Sequence, residues 1–486
     1  MPEGRFNARA SCRLIAAAAT VFLSFGLSQA IAQTLEESLV KTYQGNPTIG
    51  AQRAKLRAID EQVPQALANW RPTVTFSTDI GYANETVTAN QNNATALTTP
   101  TENRFERSYA LQIAQPVFRG FRTEAETKRA EMRIEAERQR LSNTEQQVMR
   151  DTIISFMKVV RDEAVLDLSV NNEQVLRKQL EATIDRFEVG EVTRTDVSQA
   201  EARLARATSD RITAEGQLET SRAAYQRFTG EAAGKLVEPP VPRRLPSSLP
   251  EAVEISKVSN PVVLAADYDF KASEANIDLV FGELLPTVQI IGELRKMDNT
   301  IDVYSRDNLA RVFARLSVPI YQQGAVYSRV REAKQISSQF KVQIHEARRQ
   351  VVEQTIASWE EMVSARSRVE SFTKESEANR IALEGVEQEA AAGLRTVLDV
   401  LDAEQELFTS RVNLVRARHD YVVGAYRVKV AVGALTVAQL ELPIDAYNPN
   451  VYADWARDKW FGTGVPEAID SSEQAKEAGK PKATTP

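Results

Sequence analysis

Apolar and polar residues alternate along two pairs of segments in this chain, at 72–82 and 105–117 and again at 286–294 and 309–318. Strict alternation places one set of side chains on each face, so it predicts two-faced β-strands. Each segment has roughly the ten residues that a tilted strand needs to cross a bilayer. A soluble sheet with one buried face alternates in the same way, so the pattern alone leaves both kinds of sheet open.

Each pair of predicted strands precedes a long segment that has almost no helix breakers. Residues 121–189 contain neither Gly nor Pro, and 325–392 contain only Gly385. These segments predict two helices, each about 100 Å long. Ile134 and Leu141 are seven residues apart, which is the spacing of coiled-coil packing, and an ordinary coiled coil remains an alternative.

Shorter return helices are predicted over 193–229 and 396–433. Gly190 and Gly393 precede them and mark two tight helix-to-helix turns. The predicted strands therefore lie at one end of the molecule and the two turns at the other, about 100 Å away.

The second half of the chain repeats the first. Residues 34–47 match 248–261 at one constant offset, and 190–201 match 393–404 at a slightly smaller one. The missing residues come from a Thr/Asn-rich stretch within 82–105, as expected for an exposed loop.

The chain begins with three arginines, an apolar run and Ala30-Ile31-Ala32, which is the layout of a cleavable signal peptide. Five prolines between 239 and 250 indicate an extended linker. The predicted division is a signal peptide (1–32), repeat 1 (33–230), a Pro-rich linker (231–250), repeat 2 (251–442), a C-terminal segment (443–465) and a disordered tail (466–486).

Composition argues against several classes of function. Cys12 is the only cysteine and lies in the predicted signal peptide, so disulfides and cysteine metal sites are not expected. The net charge of −6 argues against binding to nucleic acid. His345 and His419 are predicted to be surface or packing residues of helices, and no motif indicates a catalytic site or a cofactor.

Four strands are too few to close a membrane barrel, so an oligomer is expected. Three chains would supply twelve strands and a wall without open edges.

The chain resembles the TolC family of outer-membrane factors over nearly all of the residues up to about Leu442. The resemblance rests on paired strings that occur once in each half: NPTI and NPVV, RPTV and LPTV, QPVFRGFR and VPIYQQG, VGEVTRTDVSQAEARL and AGLRTVLDVLDAEQEL. No single string is decisive, but their order and their duplication are specific.

The resemblance implies an α+β membrane protein. A trimeric 12-stranded outer-membrane β-barrel, with four strands per chain, would continue into a long periplasmic α-helical barrel, and the linker and the C-terminal segment would form an equatorial belt. It also implies a passive exit duct of tripartite efflux pumps or type I secretion systems, without a cofactor. The implied partners are two further copies of the chain, a periplasmic adaptor, an inner-membrane RND or ABC transporter and outer-membrane lipid.

The resemblance also identifies residues at the helical tips that would close the tube. Asp399 and Asp402 match the family's aperture ring, and a ring of carboxylates favours cations. The closing contacts would be Arg395, Thr195 and Asp196, and the turns at Gly190 and Gly393 would touch the adaptor. For the aspartates, an ordinary solvated helix face is the alternative.

One position departs from the family. The aperture tyrosine would fall at Ala390, so closure would depend more on charged partners, and Arg395→Ser is expected to make the channel leak.

Two further interpretations remain open. The aromatic residues Tyr447, Trp455, Trp460 and Phe461 could form a docking patch, although covering a neighbouring core is the favoured role. A periplasmic coiled-coil adaptor or scaffold is the alternative function, but its helical hairpin would normally occur once rather than twice.

Overall fold

The computed structural model describes residues 33–466 except 86–87, 90–96, 99–101 and 301–303. The predicted signal peptide at 1–32 lies outside the described residues, as does the predicted tail after Pro466. None of the helices in the described part of the chain combines the length and the apolar character that a bilayer crossing requires.

Both halves share one order of main elements, which is two helices, a pair of long strands, a long helix and a return helix. The first half contains α1 (Leu35–Gly45), α2 (Pro47–Asp60), α3 (Gln62–Leu67), β1 (Thr73–Glu85), β2 (Thr88–Ala89), β3 (Leu97–Thr98), β4 (Glu102–Phe118), α4 (Arg122–Glu188) and α5 (Arg194–Thr229). The second half contains α6 (Leu249–Ser259), α7 (Pro261–Phe281), β5 (Thr287–Asp298), β6 (Arg306–Ser317), α8 (Ala325–Ala391), α9 (Val397–Ala431) and α10 (Asn450–Asp458). Short 3-10 turns at Ala68–Trp70 and Gly282–Leu284 lead into β1 and β5.

The repeated Asn-Pro pair starts a helix in each half. Asn46 Oδ1 accepts a hydrogen bond from the Thr48 backbone N–H at 2.9 Å, and Asn260 Oδ1 does the same for Val262 at 2.9 Å. The proline that follows is suited to the first helical position, where no N–H donor is needed. Each asparagine Nδ2 also donates to a backbone carbonyl near the end of the return helix, Phe228 O or Ala431 O.

The two halves differ where the first of these helices ends. α2 stops at Asp60, four residues before Pro64, because a proline ring clashes with the carbonyl of the residue four positions earlier. Asp278 occupies the position equivalent to Pro64, and α7 continues unbroken through it to Phe281.

The four long strands form one antiparallel sheet in the order β1-β4-β5-β6. Pro116 lies at an irregularity in the β4–β5 pairing, as expected for a residue without an N–H. The bounds of all four strands differ by a few residues from the predicted segments. The differences arise because the hydrogen bonds between strands continue where the side chains become polar. Within the described residues, the outer edges of β1 and β6 pair with no other strand.

The largest buried cluster lies about halfway along the long helices. Met149, Ile153 and Phe156 of α4 are its centre and are at most 1% exposed. Residues of α1, α9 and the segment after α9 pack around them. α4 packs against α5, α7 and α9, whereas α8 packs mainly against α7 and α9, so α4 is the more enclosed of the two long helices.

Candidate functional site at the helical tips

Both long helices end in the same backbone turn. Gly190 has φ +80° and Gly393 has φ +77°, a left-handed conformation that only glycine adopts without strain. The N–H of Gly190 donates to Phe187 O, and the N–H of Glu191 donates to Arg186 O, both at 2.9 Å. Gly393 and the residue after it form the equivalent pair of bonds. These are Schellman motifs, which satisfy the last carbonyls of each helix.

Each return helix begins with a capping box three residues after the glycine. Asp196 Oδ2 accepts hydrogen bonds from the backbone N–H and the hydroxyl of Thr193, both at 2.8 Å. In the second tip, Asp399 Oδ2 accepts from the backbone N–H of Thr396 at 2.9 Å and from its hydroxyl at 2.8 Å. In return, each threonine hydroxyl oxygen accepts from the aspartate N–H, at 3.3 and 3.2 Å. The two aspartates therefore cap their own helices.

Capping also fixes the charge of these carboxylates. The backbone N–H of Thr193 and then its hydroxyl lower the pKa of Asp196, because hydrogen bonds to a carboxylate stabilise its ionised form. Thr396 lowers the pKa of Asp399 in the same way. Both side chains thus remain anionic at neutral pH while they serve as caps.

Three ion pairs surround the turns. Arg395 Nε lies 2.8 Å from Glu389 Oε2, and Arg186 Nε lies 3.1 Å from Glu191 Oε2, so each turn is bridged to its own long helix. Asp402 differs, because its partner is in the other half of the chain. Its Oδ1 lies 2.5 Å from Arg203 Nη2 and joins α9 to α5.

Apolar contacts hold the two hairpins side by side beneath the turns. One cluster joins Leu176 of α4 and Ala200 of α5 to Val397 and Leu401 of α9, and all four are buried. Ala390, the position expected to carry an aperture tyrosine, is 8% exposed and packs in a second cluster with Val400. The alanine thus contributes to the packing of its own hairpin.

The structure brings all seven predicted tip residues to the same end of the two hairpins. Gly190 and Gly393 make the turns, Asp196 and Asp399 cap the return helices, and Asp402 and Arg395 form ion pairs. Thr195 is exposed in the first turn of α5.

Sequence reasoning missed the partners of these residues. Thr193 and Thr396 could have been found, because both tips read Gly-x-x-Thr-x-x-Asp and Thr-x-x-Asp is a capping signature. Nothing local in the sequence indicates that Arg203 pairs with Asp402.

At the opposite end of the molecule, one face of the sheet is apolar and exposed. The alternating residues of the four strands come into register on this face, where Phe76 lies opposite Leu111 and Leu111 lies opposite Leu294. Its most exposed members, from 55% to 78%, are Val74, Phe76, Ile80, Tyr82, Leu294, Val312 and Leu316. The other face carries polar pairs such as Arg311 with Glu293 at 2.6 Å.

The C-terminal aromatic residues divide into two groups. Tyr447 covers Arg53, whose guanidinium carbon lies 4.8 Å from the Tyr447 ring centroid and 4.6 Å from that of Tyr43. Trp455 is half-buried. Trp460 and Phe461, however, are 60% and 86% exposed. The expectation that these aromatics cover a core therefore does not hold within this chain for the last two, since both side chains remain largely exposed.

The described residues contain no group of three or more His, Cys, Asp or Glu side chains placed to hold a metal ion. His345 lies on the exposed surface of α8. His419 is 8% exposed, its Nδ1 lies 3.0 Å from Asp420 Oδ1, and burial lowers its pKa.

Comparison with known proteins adds three findings. A family model described as "Outer membrane efflux protein" matches residues 39–231 and 253–434. The outer membrane efflux protein BepC of Brucella suis biovar 1 is 30% identical over 466 residues, which cover 95% of this chain and 99% of that protein. The outer membrane protein TolC of Escherichia coli K12 is 23% identical, covering 86% of this chain and 87% of that protein.

Among solved structures, CusC matches with a TM-score of 0.72 at 15% identity, covering 83% of this chain and 92% of that one. At this identity the match shows a shared fold.

Proposed function

Since this chain belongs to the outer membrane efflux protein family, whose TolC-type members are outer-membrane channels with a large periplasmic helical portion, we propose that it is the passive exit duct of a tripartite efflux pump or a type I secretion system. It would carry out no chemistry of its own, and an inner-membrane transporter would supply the energy.

The observation that carries this proposal is the four-stranded sheet. One face is apolar and exposed, and within the described residues both outer strands have an unpaired edge. An open edge and an exposed apolar face are each unfavourable in water. Three copies joined from β6 of one to β1 of the next would close a twelve-stranded barrel with its apolar face in lipid and its polar face toward the lumen.

The long helices support a continuous duct. α4 and α8 each have 67 residues, so each extends about 100 Å away from the sheet. In the trimer these helices would form the periplasmic α-helical barrel. The exposed apolar residues of α8, among them Val342 at 63% and Ile381 at 56%, would then be covered by a neighbouring copy.

The tips would form the gate. Asp399 and Asp402 are proposed to ring the aperture, where three copies would concentrate at least six carboxylates. Because capping keeps Asp399 ionised, the cap and the ring are compatible roles for one side chain. A ring of this charge favours the passage of cations and opposes anions. Arg395, Thr195 and Asp196 would contribute closing contacts.

Opening of the channel requires the helical tips to move, and the ion pairs at the tips are exposed enough to be broken. The Arg203–Asp402 pair has side chains 27% and 56% exposed, and the Arg395–Glu389 pair has side chains 50% and 49% exposed. Exposed ion pairs contribute little to stability because water screens them, so a docking adaptor could replace them. The turns at Gly190 and Gly393 would be the adaptor's contact points, and an RND or ABC transporter would complete the pump.

The test is the mass of the detergent-purified protein by light scattering, followed by the conductance of the same sample in planar bilayers. We expect a trimer with stable cation-selective openings, and loss of that selectivity in the Asp399→Asn/Asp402→Asn protein. A water-soluble monomer without conductance would contradict the proposal and favour a periplasmic scaffold. As a control, Glu370→Gln/Glu377→Gln removes two exposed charges from the shaft of α8 and should leave selectivity unchanged.

A further inference from the structure

The segment after α10 ends beside the first residues of the sheet. Arg71, two residues before β1, donates a hydrogen bond from Nη1 to the Lys459 carbonyl oxygen at 3.4 Å. Its guanidinium carbon lies 4.4 Å from the centroid of the Trp460 ring. The C-terminal segment is therefore attached at the level where the chain passes from helix to strand.

This attachment leaves two large apolar side chains in contact with solvent. Trp460 is 60% exposed and Phe461 is 86% exposed, and Val465 a few residues later is 67% exposed. Adjacent exposed aromatic residues are unusual on a water-facing surface and mark a place where something binds.

Basic groups accompany these aromatics. Arg71 stacks on Trp460, and Lys459 Nζ lies 4.1 Å from the centroid of the Trp455 ring. Tryptophan with flanking Arg and Lys is the combination found at membrane–water interfaces, where the ring lies among the headgroups and the cations meet lipid phosphates.

Residues that flank β4, β5 and β6 independently indicate where the membrane–water interface lies. Phe121, three residues after β4, is 60% exposed. Ile320 and Tyr321, just after β6, are 93% and 79% exposed, and Phe281, shortly before β5, is 50% exposed. Exposed apolar residues thus occur near the helical end of every long strand, at the level that Trp460 occupies beside β1.

We infer that Trp460 and Phe461, with Arg71 and Lys459, form a phospholipid anchor that inserts into the periplasmic leaflet of the outer membrane. The inference rests on the proposed function in one respect, since it requires the apolar face of the sheet to lie in lipid. Phospholipid is favoured over a protein partner for two reasons. Trp460 and Phe461 lie at the same level as the exposed apolar residues near the ends of the other strands, and the neighbouring Arg71 and Lys459 are suited to bind lipid phosphate.

Tryptophan fluorescence tests the anchor directly, because the chain has only four tryptophans, at 70, 359, 455 and 460. Replacing Trp70, Trp359 and Trp455 by Phe leaves Trp460 as the single emitter. The full-length trimer is reconstituted into phosphatidylethanolamine/phosphatidylglycerol vesicles whose acyl chains carry bromine either near the headgroup or near the chain end.

We expect Trp460 emission to shift to the blue on reconstitution and to be quenched more strongly by the shallow bromines than by the deep ones. A protein that keeps only Trp359, which is half-buried on α8, is the control and should be quenched by neither. A reference protein without the four tryptophans but with Phe76→Trp reports on the apolar face of the sheet.

The reference separates failure of the anchor from failure of the proposed function. If the Phe76→Trp protein is quenched and Trp460 is not, the anchor is wrong while the membrane sheet stands. If neither is quenched in proteins with the mass of the wild-type trimer, the sheet is not in lipid and both inferences fall.

Discussion

The two halves of this chain have nearly the same local structure and very different surroundings. α4 and α8 have the same length, end in the same Schellman turn and lead to the same capping box. Yet α4 contributes the fully buried Phe156 to the largest core cluster, whereas α8 leaves Val342 63% exposed. The two halves therefore share the local backbone structure, but packing encloses α4 in the core and leaves α8 with an open side.

Substitutions at the equivalent residues Phe156 and Trp359 should change stability the most. Phe156→Ala should reduce the free energy of unfolding by about 3–5 kcal/mol, because a fully buried ring leaves a cavity. Trp359→Ala removes a larger side chain but should cost less, since Trp359 is only half-buried. Guanidinium unfolding of both proteins in the same detergent measures the difference. Equal losses would show that the two helices are equally enclosed.

The next largest change in stability depends on pH. It is expected at Asp60 and not at the equivalent residue of the second half, Glu274. Asp60 is 2% exposed, and neither of its carboxylate oxygens has a hydrogen-bond partner among the described residues. Burial raises its pKa from 3.8 to about 6. Since the folded-state pKa lies above the unfolded-state value, ionisation of Asp60 opposes folding. The penalty is absent below pH 3.8, grows as pH rises and is complete above about 6.

Asp60→Asn should therefore stabilise the protein at pH 8 by roughly 2–3 kcal/mol, with a benefit that shrinks as the pH is lowered toward 4. Glu274 is exposed, so Glu274→Gln is the control and should change little at either pH. Unfolding curves at pH 8 and pH 5 measure both. If Asp60→Asn stabilises the protein equally at both pH values, the raised pKa of Asp60 is not the cause of the effect.

The helix caps test the similarity of the two halves. Thr193→Ala and Thr396→Ala should each destabilise by about 1 kcal/mol, because each removes the side chain that satisfies an N–H in the first turn. Thr→Ser at either position keeps the hydroxyl and should largely restore stability. Hydrogen exchange at the start of α5 and α9 reports each cap separately, and a loss in only one tip would show that the caps are not equivalent.

The smallest effect on stability should be the most visible in function. Arg395→Ser breaks an exposed ion pair with Glu389, which contributes little to stability, yet we expect larger resting conductance and greater entry of large antibiotics. Arg380→Ser is the control on the same helix, because it breaks two exposed ion pairs of α8, with Glu377 and Glu384, away from the tip. Unchanged conductance and antibiotic entry in the Arg395→Ser protein would count against a closing role for this residue.

The sequence alone determined the features that depend on neighbours along the chain. The near absence of Gly and Pro predicted helices over 121–189 and 325–392, and the helices run over Arg122–Glu188 and Ala325–Ala391. Alternation placed the apolar strand residues on one face, and Gly190 and Gly393 predicted the two turns. Such features follow from backbone sterics and short-range hydrogen bonds, which act over a few residues.

Contacts between distant segments follow from the packing of the whole fold and could not be read from the sequence. The pairing of β4 with β5, the Arg203–Asp402 bridge, the burial of Asp60 and the exposure of Trp460 and Phe461 have no local signature. Each depends on which elements pack together across a separation of up to hundreds of residues. One pattern of alternating or charged residues is compatible with several arrangements of the helices and strands. These long-range contacts are therefore fixed by the burial and pairing of whole elements, and not by neighbouring residues in the sequence.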